Sequence, residues 1–193
     1  MLFPVFLKLT GRRVLLVGAG SVARGKLRPL LDAGARVRVV APVIAEEIAA
    51  APVELSRRPF EPRDLDGVSY VVSAAPRNVN NIVAREAALR GLFVNAVDDI
   101  DNASAYAGAI IRRAGVTIAI STNGEAPALA GLLREGLDAL LPENLAAWMA
   151  SARDVRRDWI RNKVPMEWRR PLLLEALVER YGRRPQGVEE GHE

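Results

Sequence analysis

A glycine-rich turn, Gly18-Ala-Gly20-Ser-Val-Ala23, is the first feature of this sequence whose residues could do chemistry. It follows the apolar run 13–18, typical of a strand buried on both faces, and precedes helix-forming residues. In such a GxGxxA turn the first glycine permits a tight bend, and the second lets backbone N–H groups approach a pyrophosphate. The small sixth residue lets helix and strand pack closely. The context therefore predicts a dinucleotide site at the start of a helix.

The acidic residue that commonly binds the adenosine ribose of NAD is absent from its usual place. That acid stands roughly 20 positions after the turn. Here the second predicted strand contains Arg36 and Arg38 and ends in Ala41-Pro42-Val43. Spacing alone therefore leaves NAD and NADP equally open.

A second group of reactive side chains, Asp98, Asp99 and Asp101, follows a later predicted strand. The carboxyl ends of strands are where open α/β sheets bind ligands. The chain has no cysteine and one histidine, His192, which excludes thiol nucleophiles, cysteine-ligated metals and triads built on a core histidine. No metal site is predicted, and proton transfer would fall to these carboxylates. A solvated turn, in which Asp98 or Asp101 caps local structure, is the alternative.

A polar loop, Ser121–Glu125, precedes a predicted helix. It is either a helix entry, in which Thr122 or Asn123 satisfies free backbone N–H groups, or an anion site at the helix N-terminus. Tyr106 is read as an ordinary strand aromatic rather than a site residue.

The charge balance favours an anionic partner. The 193 residues carry a net charge of +4, with 24 arginines and 3 lysines. Nucleic acid, a membrane surface and a polyanionic small molecule all fit such a surface, and the count does not choose among them.

The elements that must position these residues begin with a repeated βαβ pattern. Short β-rich runs alternate with helical stretches, which indicates an α/β fold with a parallel sheet. In chain order the prediction is strand 13–18, helix 22–33, strand 36–41, helix 44–50, strand 53–56, strand 68–74, helix 78–90 and strand 93–97.

After Asp98 the alternation of strands and helices ends. Two strands around a turn are followed by an amphipathic helix and then by a basic helical region. These are predicted at 106–111, 116–121, 127–141 and 143–181, with helix breaks at Pro165 and Pro171. Residues 182–193 are polar and predicted to be disordered. No stretch approaches about 18 uninterrupted apolar residues, so no membrane span is predicted and a cytoplasmic location is the default expectation.

Taken in order, the motifs resemble the precorrin-2 dehydrogenase and sirohydrochlorin ferrochelatase family, which includes the N-terminal module of siroheme synthase. The resemblance covers residues 2–145, and it is specific because the segments occur in the same order. The segments are Phe3–Leu7, Gly11–Val14, the glycine turn with Lys26, Leu31–Ala35, Val39–Pro42, Asp64–Asp66, Ala74-Ala75, Asn95–Asp98, Ile118–Ser121, Pro127–Ala130 and Leu133-Arg134.

The resemblance implies NAD-dependent oxidation of precorrin-2 to sirohydrochlorin, and some members also insert ferrous iron. It implies a homodimer whose protomers interlock, with no nucleic-acid or membrane partner. The excess of arginine is then assigned to the carboxylates of precorrin-2. The implied domains are a Rossmann-type NAD-binding domain over 1–107, a dimerisation segment over 108–142 and a helical domain over 143–181.

The family's functional residues carry over position by position. Asp98 takes the place of the catalytic aspartate, which explains how the chain can do proton chemistry without a core histidine. The NAD contacts carry over to Gly18, Gly20, Ser21, Val22, Pro42, Val43 and Ala74, so that this family does without the ribose acid. The residues expected to bind substrate are Thr122, Asn123 and Arg134.

Three positions depart from the family's pattern. A serine that some members phosphorylate is Thr122 here. An aromatic residue and a proline in the strand after the aspartate are replaced by Ala105 and Gly108, on the tetrapyrrole side of the implied site.

A non-catalytic NAD-sensing module is the alternative function. Such a module would share the glycine turn and the predicted helix of the dimerisation segment, but it would not need Asp98.

Overall fold

A five-stranded parallel sheet forms the core of the first part of the chain in the computed structural model, which describes residues 2–181. The spatial order of the strands is β3-β2-β1-β4-β5. The chain runs outward from β1 to β3 and then crosses back to β4, so the strand order reverses between β1 and β4. In open α/β sheets, ligands bind at the carboxyl ends of the strands that flank such a reversal. The strands are β1 (Arg13–Val17), β2 (Arg36–Val40), β3 (Glu54–Ser56), β4 (Tyr70–Ser73) and β5 (Val94–Ala96).

Helices cover both faces of this sheet. Leu16 and Val39 point into one apolar cluster with helix α1 (Ser21–Asp32) and the short helix α2 (Glu46–Ala49). Their neighbours Leu15 and Val40 point into the other cluster, with helix α3 (Arg77–Ala88). Successive side chains of a strand alternate between faces, so a strand buried on both faces must be apolar throughout. The predicted Rossmann-type fold is confirmed.

The chain divides into two compact units, which are described separately. One comprises the residues up to Gly108 together with Ser121–Pro127, and the other comprises Ala109–Ile120 with the chain from Ala128 onward. The predicted three-domain division stays a prediction. Within the described part of the chain, no helix is both long and apolar enough to cross a membrane.

The second unit contains a β-hairpin and helices. Ala114 and Gly115 form the two-residue turn, with positive φ angles of 52° and 82°, as type I′ hairpin turns require. Arg113 donates hydrogen bonds to the carbonyl oxygens of Leu141 and Pro142, which follow the first helix of this unit. These bonds hold the hairpin at the end of that helix. The elements are β6 (Ala109–Arg113), β7 (Val116–Ile120), α4 (Pro127–Leu140), α5 (Leu145–Arg161) and α6 (Met166–Tyr181).

Two predicted boundaries are wrong. The strand expected over 106–111 begins only at Ala109, because Ser104 and Ala105 instead donate backbone hydrogen bonds to the Val94 carbonyl and cover the edge of β5. Pro171 does not break a helix, because α6 runs from Met166 to Tyr181 with Pro171 inside it. The break expected at Pro165 is confirmed. The tail predicted over 182–193 lies outside the described residues.

Candidate functional site

Gly18 lets the ends of β1 and β4 approach each other. Its φ angle is +98°, and a Cβ atom there would lie 2.2 Å from the carbonyl oxygen of Ala74. The neighbouring backbone is firmly paired, since Ala74 N–H donates to Val17 at 2.8 Å and Gly18 N–H donates to Val40 at 2.9 Å. Only glycine fits both the φ angle and this approach.

Gly20 has a different environment. It is the N-cap residue of α1, and no heavy atom of the described residues beyond its chain neighbours lies within 4 Å of an ideal Cβ. Among the described residues no side chain caps this helix, and its first turn contains no acid. The first N–H groups of a helix lack intrahelical acceptors. The turn therefore offers open space and free donors, which fits the pyrophosphate of a dinucleotide. Ser21 and Val22 begin the helix and are exposed.

Pro42 and Val43 follow β2 at the same edge, and both are exposed, Val43 by 82%. Neither arginine of β2 lies there. Arg36 is at the opposite end of the strand, in register with Arg13, and Arg38 in the middle is within 3.3 Å of the Ser56 hydroxyl. Since Ala74 follows β4, the residues expected to contact NAD all lie at the carboxyl ends of β2, β1 and β4.

An ion pair between a half-buried arginine and a buried carboxylate fixes the loop beyond β3. Arg58 donates two hydrogen bonds, of 2.6 and 2.8 Å, to the carboxylate of Asp64, which is 1% exposed. Burial raises the pKa of Asp64. The hydrogen bonds from Arg58 and from the Glu61 N–H, with the charges of Arg58 and Arg38, outweigh burial and leave the pKa below its ordinary value.

The three carboxylates after β5 have three different surroundings. Asp98 is exposed and has a φ angle of +56°, in the left-handed region. Asp99 is 5% exposed, whereas Asp101 is exposed and pairs with Arg77 at the start of α3. Asp98 is thus the carboxylate presented to solvent directly beyond the carboxyl end of the sheet.

Asp99 belongs to a buried polar network that joins three elements. Its Oδ2 atom accepts hydrogen bonds from the amides of Asn80 at 3.2 Å and Asn102 at 2.8 Å. Asn80 is 2% exposed, and its Oδ1 atom accepts a hydrogen bond of 2.6 Å from Ser73 at the end of β4. Sequence reasoning missed Asn80. The available signal was its position on the helix face that also carries the buried residues Val83 and Ala87, where a polar side chain is unusual.

The loop expected to meet substrate packs beside the carboxylate segment. A Cβ atom on Gly124 would lie 3.1 Å from Ile100 and 3.3 Å from Tyr106. Thr122 Oγ1 accepts a hydrogen bond from Ala126 N–H at 3.2 Å, as expected for a helix entry, and Asn123 is exposed. Arg134 lies in the second compact unit, 2.8 Å from Glu135. Its substrate role, like those of Thr122 and Asn123, stays a prediction.

Within residues 2–181, no group of three or more Asp, Glu, His or Cys side chains is placed to hold a metal ion.

Two family profiles match the chain in succession. The family described as "Putative NAD(P)-binding" matches residues 5–109, which include the glycine turn and Asp98. The family described as "Sirohaem biosynthesis protein central" matches residues 113–140.

Curated relatives are siroheme synthases. Siroheme synthase 1 of Aeromonas salmonicida is 45% identical over 158 residues, which are 79% of this chain and 34% of that protein. The siroheme synthase of Photorhabdus laumondii is 40% identical over 184 residues, which are 92% of this chain and 39% of that protein. The chain thus spans less than two fifths of the length of either relative.

A solved structure has nearly the same extent as this chain. It is described as "SirC, precorrin-2 dehydrogenase", it is 27% identical, and it superposes with a TM-score of 0.73. The match covers 93% of this chain and 92% of that one.

Proposed function

The chain belongs to the precorrin-2 dehydrogenase and siroheme synthase family of NAD(P)-binding proteins, and we propose that it oxidises precorrin-2 to sirohydrochlorin with NAD. The observation that carries this proposal is the position of Asp98. It is an exposed carboxylate just beyond the sheet edge that also carries the glycine turn.

The oxidation removes a hydride and a proton from the substrate. Bound NAD supplies the hydride acceptor. The N-terminus of α1 would hold the pyrophosphate of NAD, and Pro42 and Val43 would contact the cofactor beside it. The Asp98 carboxylate takes the proton, because it is an exposed base and residues 2–181 contain no histidine. Thr122, Asn123 and Arg134 are proposed to contact the tetrapyrrole, whose carboxylates suit arginine.

We further propose that the protein acts as a homodimer. Five leucines of α4 are exposed in the single chain, which is unusual for a helix that packs against its own protein alone. The same helix lies within the region that matches the sirohaem biosynthesis profile. The residues are Leu129, Leu132, Leu133, Leu137 and Leu140.

Asp98→Asn tests the catalytic assignment. Asparagine tolerates the left-handed region as aspartate does, so the variant removes the base and keeps the turn. We expect kcat for NADH formation from precorrin-2 to fall by about 10²–10⁴-fold, with unchanged affinity for NAD measured by calorimetry. The matched control is Asp66→Asn, an exposed aspartate before β4 at the opposite edge, which should retain full activity. Normal turnover of Asp98→Asn would refute the assignment.

A second experiment separates the reactions. The protein is incubated with precorrin-2 and NAD, with and without ferrous iron, and sirohydrochlorin and siroheme are followed by absorbance. NADH and sirohydrochlorin without iron support the dehydrogenase, and siroheme formed only with iron and protein adds metal insertion. Tight binding of NAD with no affinity for the tetrapyrrole would instead identify an NAD-sensing module.

A further inference from the structure

We propose that Asp99 is a positioning residue for Asp98, which rests on the catalytic role proposed above for Asp98. The two aspartates are adjacent, but one is exposed and the other is buried among side chains of α3 and the following turn. Asp99 does not face solvent as a base would. Its contacts instead fix the backbone from which Asp98 projects.

Both neighbours of Asp98 are tied to the same residue of the sheet, Ser73. On one side, Val97 N–H donates to the Ser73 carbonyl oxygen at 2.8 Å. On the other side, the Asp99 carboxylate is held by Asn80, which in turn accepts the Ser73 hydroxyl hydrogen bond. Asp98 therefore lies between two restraints. One is the backbone hydrogen bond of Val97, the other is the side-chain network of Asp99, and both end at Ser73.

These two restraints explain the left-handed conformation of Asp98. A non-glycine residue persists at a φ angle of +56° when its surroundings over-determine it. Two further contacts hold the segment on α3, since Asn102 donates to Asn81 at 2.6 Å and Arg77 pairs with Asp101. Loss of the buried restraint would let Asp98 turn away from the sheet edge while the glycine turn stays in place.

The geometry separates hydrogen bonding from charge. Both amides donate to Oδ2 of Asp99, whereas the buried Oδ1 atom has no hydrogen-bond partner among the described residues, and Arg77 Nη1 lies 4.0 Å from it. An asparagine whose carbonyl oxygen replaces Oδ2 keeps both hydrogen bonds and loses the charge. Asp99→Asn should therefore retain most of kcat if Asp99 acts by positioning.

Truncation should have the opposite result. Asp99→Ala and Asn80→Ala each remove the side-chain restraint, and we expect kcat to fall on the order of 10²-fold, the effect of misplacing a catalytic group by about 1 Å. The affinity for NAD, measured by calorimetry, should stay at the wild-type value. Asn78→Ala is the matched control, an exposed asparagine of the same helix, and should have wild-type kcat.

A double-mutant cycle tests whether Asp99 acts through Asp98. Once Asp98→Asn has removed the base, adding Asp99→Ala should lower kcat no further, because residues that act as one unit are not additive. Independent, multiplicative losses would overturn the proposal, as would loss of activity in Asp99→Asn with wild-type NAD binding. If Asp98→Asn alone is fully active, the proposed function of Asp98 fails first, and this result is distinguishable from failure of the positioning role.

All variants are compared by thermal unfolding and assayed below their transitions. If Asp99→Ala does not fold, Ser73→Ala replaces it, because it removes only the hydroxyl that orients Asn80 and leaves Asp99 intact. A lowered kcat with unchanged NAD affinity in Ser73→Ala supports the positioning role of Asp99, and an unchanged kcat contradicts it.

Discussion

Replacing Gly18 and Gly20 separately by alanine should separate stability from cofactor binding. In Gly18→Ala the new methyl group would lie 2.2 Å from the oxygen and 2.7 Å from the carbon of the Ala74 carbonyl. Both atoms belong to the backbone, so relief requires a shift of β4 against β1. Overpacking costs about 1–3 kcal/mol, and a positive φ angle adds about 1–2 kcal/mol. We expect the free energy of unfolding to fall by about 2–5 kcal/mol.

Gly20→Ala should hardly change stability. Its φ angle is −91°, and the new methyl group would meet no heavy atom of the described residues beyond its chain neighbours. Alanine is a poorer N-cap by about 1 kcal/mol, but it also restricts the unfolded chain, which returns about 0.4–1 kcal/mol. The methyl group would occupy the space expected for the pyrophosphate. We expect the Kd for NAD to rise about tenfold or more, equivalent to about 1.4 kcal/mol.

The assay is chemical unfolding of each variant, together with calorimetric titration of NAD. Gly25→Ala is the control, since Gly25 is exposed within α1 and its Cβ would also meet open space. This change should stabilise the protein by about 1 kcal/mol through helix propensity and leave NAD binding unchanged. Wild-type stability of Gly18→Ala would refute the steric reasoning. Wild-type affinity of Gly20→Ala would show that the pyrophosphate lies elsewhere.

Two further predictions concern the ion pair beyond β3 and the exposed leucines. The pKa of Asp64 is lowered in the folded protein, so its ionised form contributes stability above the unfolded pKa of about 4, and this contribution is lost as pH falls through the folded value. Asp64→Asn should therefore lower the free energy of unfolding at neutral pH by about 3 kcal/mol and flatten its decline in acid, measured by denaturant titrations across pH. Leu132→Glu, at a leucine that is 67% exposed, should dissociate the proposed dimer in light scattering, with unchanged helix content by circular dichroism.

The first part of the fold was predictable because its signals are local. The apolar run of β1 and the glycine turn lie side by side in sequence, and the observed bounds of β1 and α1 agree with the predicted ones to within one residue. The start of β6 was not predictable in this way. Residues 104–105 pair with Val94 ten positions earlier, and no periodicity within the segment reports such a contact.

The carboxylate cluster shows the same limit within the site. Sequence reasoning placed Asp98, Asp99 and Asp101 together at a strand end, and the strand end is where they lie. It could not rank them by burial, because the burial of Asp99 depends on Asn80, nineteen positions earlier on α3. The distinction between a presented base and a buried support therefore arises only when the helix packs on the sheet.

The end of β4 joins the two halves of the proposed site. A side chain at position 18 would overlap the carbonyl group of Ala74. The preceding residue, Ser73, binds Val97 directly and Asp99 through Asn80, so it restrains both neighbours of Asp98. A displacement of β4 by Gly18→Ala should therefore reach Asp98 as well as the turn. In the fraction of Gly18→Ala that stays folded, kcat at saturating NAD should fall, whereas Gly20→Ala should recover wild-type kcat once NAD saturates. Equal kcat values for the two variants at saturating NAD would mean that the turn and Asp98 are mechanically independent, and the shared anchor at Ser73 would then have no functional consequence.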